Sequence, residues 1–191
     1  GLNEAGIQTT EKSVSDGVTG TCMVLVSPDS ERTMQTFLGI TAELSEAQIN
    51  FEPLKTAKWL YIEGYLSTSD TARQAVKHAR EIAKANGVKI ALTLSDPAMV
   101  QYARQGLDEL LDDGVDVLLC NQHEALMYTE TDSIEAALAK LQLKSKYTVI
   151  TLSAEGALIS DSEQTLKVPG RKVTAVDANG AGDAFAGAFL Y

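Results

Sequence analysis

No apolar run in these 191 residues approaches the ~20 consecutive positions that a membrane-crossing helix needs. The first residues show no signal-like pattern either, so a cytoplasmic protein is expected. Cysteine is scarce. The two present, Cys22 and Cys120, sit in separate strand-like runs with no CxxC spacing, which excludes a disulfide framework and a zinc site; both are read as buried reduced thiols. The two histidines, His78 and His123, also lack metal-ligand spacing, and His78 falls in a long amphipathic stretch where a solvated or half-buried ring is expected. Basic residues are outnumbered, 16 Lys and Arg against 26 Asp and Glu, giving a net charge of −10 and no basic stripe for nucleic acid. A polyanionic ligand would depend on backbone donors, helix termini and a divalent cation.

The length suits one fair-sized α/β domain, and the composition is that of an ordinary globular protein without low-complexity tracts. Lys58–Glu63 reads as a strand ending at Gly64. Ser69 or Asp70 can cap a helix from about Thr71 to Asn86, with Gly87 as its stop. Ala72, Ala75, Val76, Ala79, Ile82 and Ala83 repeat at helical spacing, so one stripe of that helix packs on a sheet. Val88–Leu94 follows as a strand, then a helical stretch with Leu107, Leu110 and Leu111, a strand ending at Cys120, a helix from about Ser133 to Leu143, and a buried-strand pattern over Tyr147–Leu152. Such alternation predicts a mostly parallel sheet flanked by helices, with ligands bound beyond the carboxyl ends of its strands. The early segment differs. Thr21–Val26 and Arg32–Leu38 read as a hairpin whose loop, Ser27–Glu31, has turn chemistry.

The end of the chain is the most informative part. A β-type run, Lys172–Val176, leads into Asp177-Ala178-Asn179-Gly180-Ala181-Gly182-Asp183, and an apolar helical stretch begins there. Gly180, Ala181 and Gly182 leave the backbone open, so consecutive N–H groups at a helix N-terminus can hold an anion beside the Asp183 carboxylate. Donors for a moving phosphoryl group next to an acid that can deprotonate a hydroxyl are the parts of phosphoryl transfer. The same string also suits an ordinary helix start, with Asp183 stabilising the first turn.

This segment resembles the second signature of the ribokinase/PfkB family of sugar and nucleoside kinases, with Ala178 where the family normally carries Thr. The resemblance implies that Asp183 is the catalytic base and that Gly180, Ala181 and Gly182 shape the anion hole, Gly182 also touching the nucleotide. Asp177 and Asn179 match positions near a monovalent cation, K+. A second match, Asn121-Gln122-His123-Glu124, opens a helix after the apolar run Val115–Cys120. In the family its Glu organises magnesium through water near the nucleotide phosphates; the alternative is a capping pair, with Asn121 as N-cap and Glu124 reaching back. A third match, Thr151-Leu152-Ser153-Ala154-Glu155-Gly156, corresponds to a turn passing under the nucleotide. Ser153 replaces the usual first Gly, and a plain β-turn with Gly156 at positive φ is the alternative.

What the resemblance implies as a whole is a ribokinase-like α/β fold: residues 1–17 and 41–191 form a nucleotide-binding core, and residues 18–40 form a β-hairpin lid that closes over the substrate and mediates homodimer contacts. The chain reads as an internal fragment of that fold. The implied activity is transfer of the γ-phosphoryl of ATP, with Mg2+, to a primary hydroxyl of a nucleoside or sugar. The Glu63-Gly64-Tyr65-Leu66 turn and the Asn-Gly-Ala-Gly-Asp wording look most like adenosine kinases, with ribokinase-like or fructokinase-like sugar specificity as the alternative. A non-catalytic nucleotide-binding relative is a further alternative. A dinucleotide-dependent oxidoreductase fits poorly, because Phe185 stands where the third fingerprint Gly belongs.

Overall fold

The computed structural model describes residues 2, 4–9, 16–27, 32–174 and 177–191. Strands β1 (Thr21–Val26) and β2 (Arg32–Phe37) pair antiparallel as a separate two-stranded sheet. The main sheet has six strands in sequential order: β3 (Trp59–Glu63), β4 (Lys89–Thr93), β5 (Val115–Asn121), β6 (Ser145–Thr151), β7 (Gly156–Ser160) and β8 (Thr165–Pro169). The first four run parallel, and β7 and β8 are added antiparallel, so the expected mostly parallel sheet is mixed at one end.

The parallel pairs need crossovers, and helices supply them. Helix α1 (Asp70–Ala85) starts where the Ser69 hydroxyl accepts the Ala72 N–H and stops before Gly87, which takes φ +70°. Its buried stripe, Ala72, Ala75, Val76, Ala79 and Ala83, is the one read from spacing. Helix α2 (Pro97–Tyr102) is capped by Asp96, with Pro97 at its first position, and α3 (Arg104–Leu111) follows it directly. Helix α4 (Gln122–Thr129) and helix α5 (Ile134–Leu141) complete the layer on this side of the sheet.

Strand alternation divides the core in two. Ile90, Leu92, Leu94, Leu118, Cys120 and Ile150 face the α1–α5 layer and pack with Leu107, Leu111 and Leu141, all buried. Burial of each such side chain stabilises by about 1.5–3 kcal/mol. The opposite face presents Ala91, Val117, Leu119 and Val149 to helix α6 (Ala181–Leu190), whose Ala186 seals that smaller cluster. Among the described residues no helix is long and apolar enough to cross a membrane.

Two expectations change. Cys120 is buried, but Cys22 is exposed, because among the described residues nothing buries β1 of the β1–β2 ribbon and each of its residues meets solvent. The expected strand over Lys172–Val176 is absent over Lys172–Thr174, which find no ladder partner; Ala175 and Val176 lie outside the described residues, as do Pro28–Glu31 of the hairpin loop. His78 is half-buried, its ring tilted 31° against Phe51 with centroids 4.8 Å apart, and its Nδ1 lies 2.8 Å from a Glu46 carboxylate oxygen.

Asp116 ties three strands together. Its carboxylate accepts the Ile90 N–H at 2.8 Å and the Lys146 ammonium at 2.6 Å. Partial burial alone would push this carboxyl up; the Lys146 contact and the Ile90 N–H outweigh it and hold the pKa below its ordinary 3.8. Because the folded value is the lower one, its stabilisation is present above the ordinary value and lost as pH falls through the folded one. Asp116→Asn should therefore lower stability by about 1 kcal/mol in urea unfolding at about pH 7, and the deficit should shrink at about pH 3.

Candidate active site

The parallel strands all exit at one edge, and the motif residues gather there. Asn121 is the last residue of β5 and pairs in register with Thr151, the last residue of β6. Two of the three matched motifs are thus neighbours across one ladder step. Beyond Asn121 the chain turns into α4 through a reciprocal cap. The Asn121 side-chain oxygen accepts the Glu124 N–H at 2.8 Å, the Asn121 N–H donates to Glu124 Oε2 at 2.9 Å, and Asn121 Nδ2 donates to Oε1 at 2.6 Å. Glu124 is 4% exposed. Both of its oxygens already accept from Asn121, so a cation near it fits best through bridging water rather than by direct ligation. Below this pair, burial pushes the Cys120 thiol well above its ordinary value and the Glu124 charge adds to the rise, leaving an inert core side chain.

After Thr151 comes a tight bend. Ser153 takes φ +51°, Glu155 N–H donates to the Leu152 carbonyl, and Gly156 takes φ +101° before β7 begins. A Cβ on Gly156 would lie 1.9 Å from the Val168 carbonyl oxygen, so only glycine fits. Ser153, where the family pattern has Gly, is thus a non-glycine residue in left-handed backbone, a conformation that costs an L-residue about 1–2 kcal/mol. Ser153 and Glu155 are exposed, and Glu155 pairs with Lys167 at 3.1 Å.

The Asp177–Asp183 segment approaches the sheet from its other face. Asp177 accepts the Asn179 N–H at 2.8 Å in a local turn, and Gly180 enters α6 with φ +71°. The Ala181 N–H is committed to the Ala178 carbonyl and the Ala184 N–H to the Gly180 carbonyl. The N–H groups of Gly182 and Asp183 lie in the first turn, where a helix offers no internal acceptor. A Cβ at Gly182 would meet no atom within 4 Å, and one at Gly180 only a carboxylate oxygen of Asp183 at 4.0 Å. The ledge above these residues is open, solvent-exposed and edged by the Asp183 carboxylate. Helix α6 rests on Leu119 and Val149, each two residues before Asn121 and Thr151 on the same sheet face. Among the described residues, no three His, Cys, Asp or Glu side chains cluster tightly enough to hold a metal ion.

The strand ends also bring Ser95, which sequence reasoning did not single out, to the Glu63–Gly64 turn that it did. Ser95, at φ +70°, donates its hydroxyl to Glu63 at 2.8 Å and accepts the Gly64 N–H at 2.7 Å. The available signal was a carboxylate on the last residue of a strand in a parallel sheet. A cleft of about 610 Å3 opens elsewhere, at the hairpin base, between Thr19, Ile40 and Thr41 and the Glu43–Pro53 stretch; none of the motif residues line it.

The family profile described as pfkB family carbohydrate kinase matches residues 1–191. The chain is similar to a ribokinase from Haemophilus influenzae, 30% identical over 98% of this chain and 60% of that protein. It is similar in structure to an adenosine kinase from Sinorhizobium meliloti, with TM-score 0.94 and 33% identity over 99% of this chain and 59% of the other. An Escherichia coli ribokinase-type protein in complex with ATP and Mg2+ superposes with TM-score 0.77 at 25% identity, over 89% of this chain and 56% of the other. The chain spans less than two thirds of the length of each.

Asn121→Ala would remove the two side-chain hydrogen bonds of this cap, Nδ2 to the buried Glu124 carboxylate and Oδ1 from the Glu124 N–H, and leave only the backbone N–H of residue 121 on Oε2. It should lower stability by at least roughly 2 kcal/mol in chemical denaturation; a loss under about 0.5 kcal/mol would show that the cap is dispensable.

Proposed function

The chain belongs to the pfkB family of carbohydrate kinases, and on that premise we propose that it carries the phosphate-side machinery of an ATP-dependent phosphotransferase whose acceptor is the primary hydroxyl of an adenosine-like nucleoside. The observation that carries the proposal is the open start of α6, where the Gly182 and Asp183 N–H groups and the Asp183 carboxylate share one ledge. In a chain of net charge −10, held phosphate must be met by fixed dipoles rather than by lysines, and this ledge supplies them.

Asp183 takes the proton from the acceptor hydroxyl as its oxygen forms the new bond to the γ-phosphorus and the bond to the ADP oxygen breaks. The charge developing on the γ-phosphoryl oxygens meets the two N–H groups, which are already oriented and need no rearrangement. Gly180, Ala181 and Gly182 keep the approach free of side chains. Glu124, fixed by Asn121, lies within the phosphate side as a water-mediated anchor for magnesium. When bound, that ion offsets the negative charge of the phosphates. Thr151, Ser153, Glu155 and Gly156 border the nucleotide, and the Asp177–Asn179 turn is the proposed K+ position. Residues 18–40 act as the lid, excluding water from the transfer, and the exposed apolar side chains Met23, Leu25 and Phe37 make the same ribbon the proposed homodimer contact.

A sugar acceptor is the second reading, favoured by similarity to the H. influenzae ribokinase. Both readings share Asp183 as base. Asp183→Asn should lower kcat by about 10²–10⁴-fold while ATP affinity changes little, measured by coupled ADP release and calorimetry on the full-length protein with adenosine, ribose and fructose as acceptors. Unchanged turnover would remove Asp183 as the base. ATP binding without turnover for any acceptor in the unsubstituted protein would favour a regulatory nucleotide-binding role.

A further inference from the structure

Glu63 ends β3 on the same face as Trp59 and Tyr61, because side chains alternate along a strand. Trp59 packs with the cluster that Ala186 seals, so this is the face that α6 covers. Glu63 pairs in register with Thr93, and Thr93 with Leu119, on which α6 rests. The row runs across three adjacent strands, about 5 Å per step, from the seat of α6 to Glu63. Two carboxylates thus border one side of the sheet at its carboxyl edge, Asp183 at the start of α6 and Glu63 at the end of β3.

Glu63 is held in place by the neighbouring strand end. Its Oε2 accepts the Ser95 hydroxyl at 2.8 Å, and Ser95 Oγ accepts the Gly64 N–H at 2.7 Å. The Ser95 N–H donates to Thr93 Oγ1 at 3.2 Å, with Ser95 at φ +70°, left-handed backbone that a serine rarely adopts. Strain of this kind gathers at functional sites. A Cβ on Gly64 would lie 2.7 Å from the Leu94 carbonyl oxygen, so only glycine lets the two strand ends close on each other. A carboxylate accepts about four hydrogen bonds and Glu63 is only half-buried, so the Ser95 contact leaves capacity for the donors of a ligand. Burial, then the charge of Glu63, then that of Asp183, raises the Tyr61 phenol above its ordinary pKa, so the fields of both carboxylates meet at this side chain.

We propose that Glu63 is a specificity-determining residue of the acceptor side: its carboxylate, oriented by Ser95, accepts hydrogen bonds from secondary hydroxyls of the sugar ring whose primary hydroxyl reaches Asp183. The inference rests on the phosphotransfer reading above and narrows its acceptor to a ring with free hydroxyls away from the reacting carbon. A carboxylate binds hydroxyl donors about twice as strongly as a neutral acceptor does and has no donor of its own, so it favours a ring that keeps those hydroxyls over one that lacks them. Orientation by Ser95 removes part of the side-chain freedom that a loose glutamate would lose on binding. The effect of Glu63 falls on acceptor binding rather than on nucleotide binding.

Glu63→Gln keeps the shape of the side chain and an oxygen for Ser95 while removing the charge. In the full-length protein with magnesium and ATP, KM for the acceptor, adenosine or ribose, should rise roughly tenfold. KM for ATP should stay within about twofold. The sharper comparison uses deoxy forms of the same acceptor, each lacking one secondary hydroxyl. At least one of them should cost the unsubstituted protein roughly tenfold in kcat/KM and the variant less than about twofold, because the missing hydroxyl has already lost its partner there. Ser95→Ala, which removes the hydroxyl that orients Glu63, should raise the acceptor KM in the same direction and takes the place of Glu63→Gln if that variant does not fold. An unchanged acceptor KM in Glu63→Gln overturns the inference, and so does an equal deoxy penalty in both proteins. A lower thermal midpoint with the acceptor KM unchanged assigns Glu63 to holding the strand ends and overturns it equally. Asp183→Asn run alongside separates two failures. If it is inactive while Glu63→Gln keeps the unsubstituted KM values, only the role of Glu63 falls; if the unsubstituted protein phosphorylates no acceptor, the phosphotransfer reading falls and this inference with it.

Discussion

Parallel pairing of β3 through β6 is the constraint from which the remaining architecture follows. Parallel strands must each be carried back by a crossover, so α1, the α2–α3 pair and α4–α5 are obligatory, and all four strands end on the same edge. Glu63, Thr93, Asn121 and Thr151 are brought together for that reason alone: each is the last residue of its strand. Polar side chains at these positions avoid burial between two apolar layers, since the chain is leaving the sheet there. The same edge is where irregular backbone with unpaired donors can be tolerated, and hence where an anion can be met.

The two faces of the sheet are used differently. Five helices cover one side and build the larger core, which fixes the strands. Helix α6 covers the other and carries the Gly180–Asp183 start on its end. Its Ala186 packs against Ala91, Val117, Leu119 and Val149 of the sheet, and the small side chains of Ala186 and Ala91 allow close approach. Glu124 enters the same region from the opposite layer, locked by Asn121 before any ligand arrives. The cap and the proposed magnesium role are compatible, because a carboxylate that is already oriented loses little freedom when it engages hydrated metal.

Features set by neighbouring residues were legible in the sequence. The stripe of α1, its Ser69 cap and Gly87 stop, the Asn121–Glu124 pair and the positive φ of Gly156 all follow from spacing within one turn. Layering was not legible. The unbroken apolar run Cys22–Val26 of β1 suggests burial, yet nothing in a single strand says that no described residue will cover its sheet, so Cys22 is exposed against expectation. Lys172–Thr174 has strand-forming residues but finds no partner to pair with. The Glu63–Ser95–Thr93 contacts join residues about thirty positions apart, and only the β3–β4 register brings them together.

The central claim is that the first turn of α6 receives the transferring phosphate. The most direct measurement is a structure of the full-length protein with magnesium and a nonhydrolysable ATP analogue. The account predicts γ-phosphate oxygens about 3 Å from the backbone nitrogens of Gly182 and Asp183. A terminal phosphate seated elsewhere, with no contact to that turn, would contradict it.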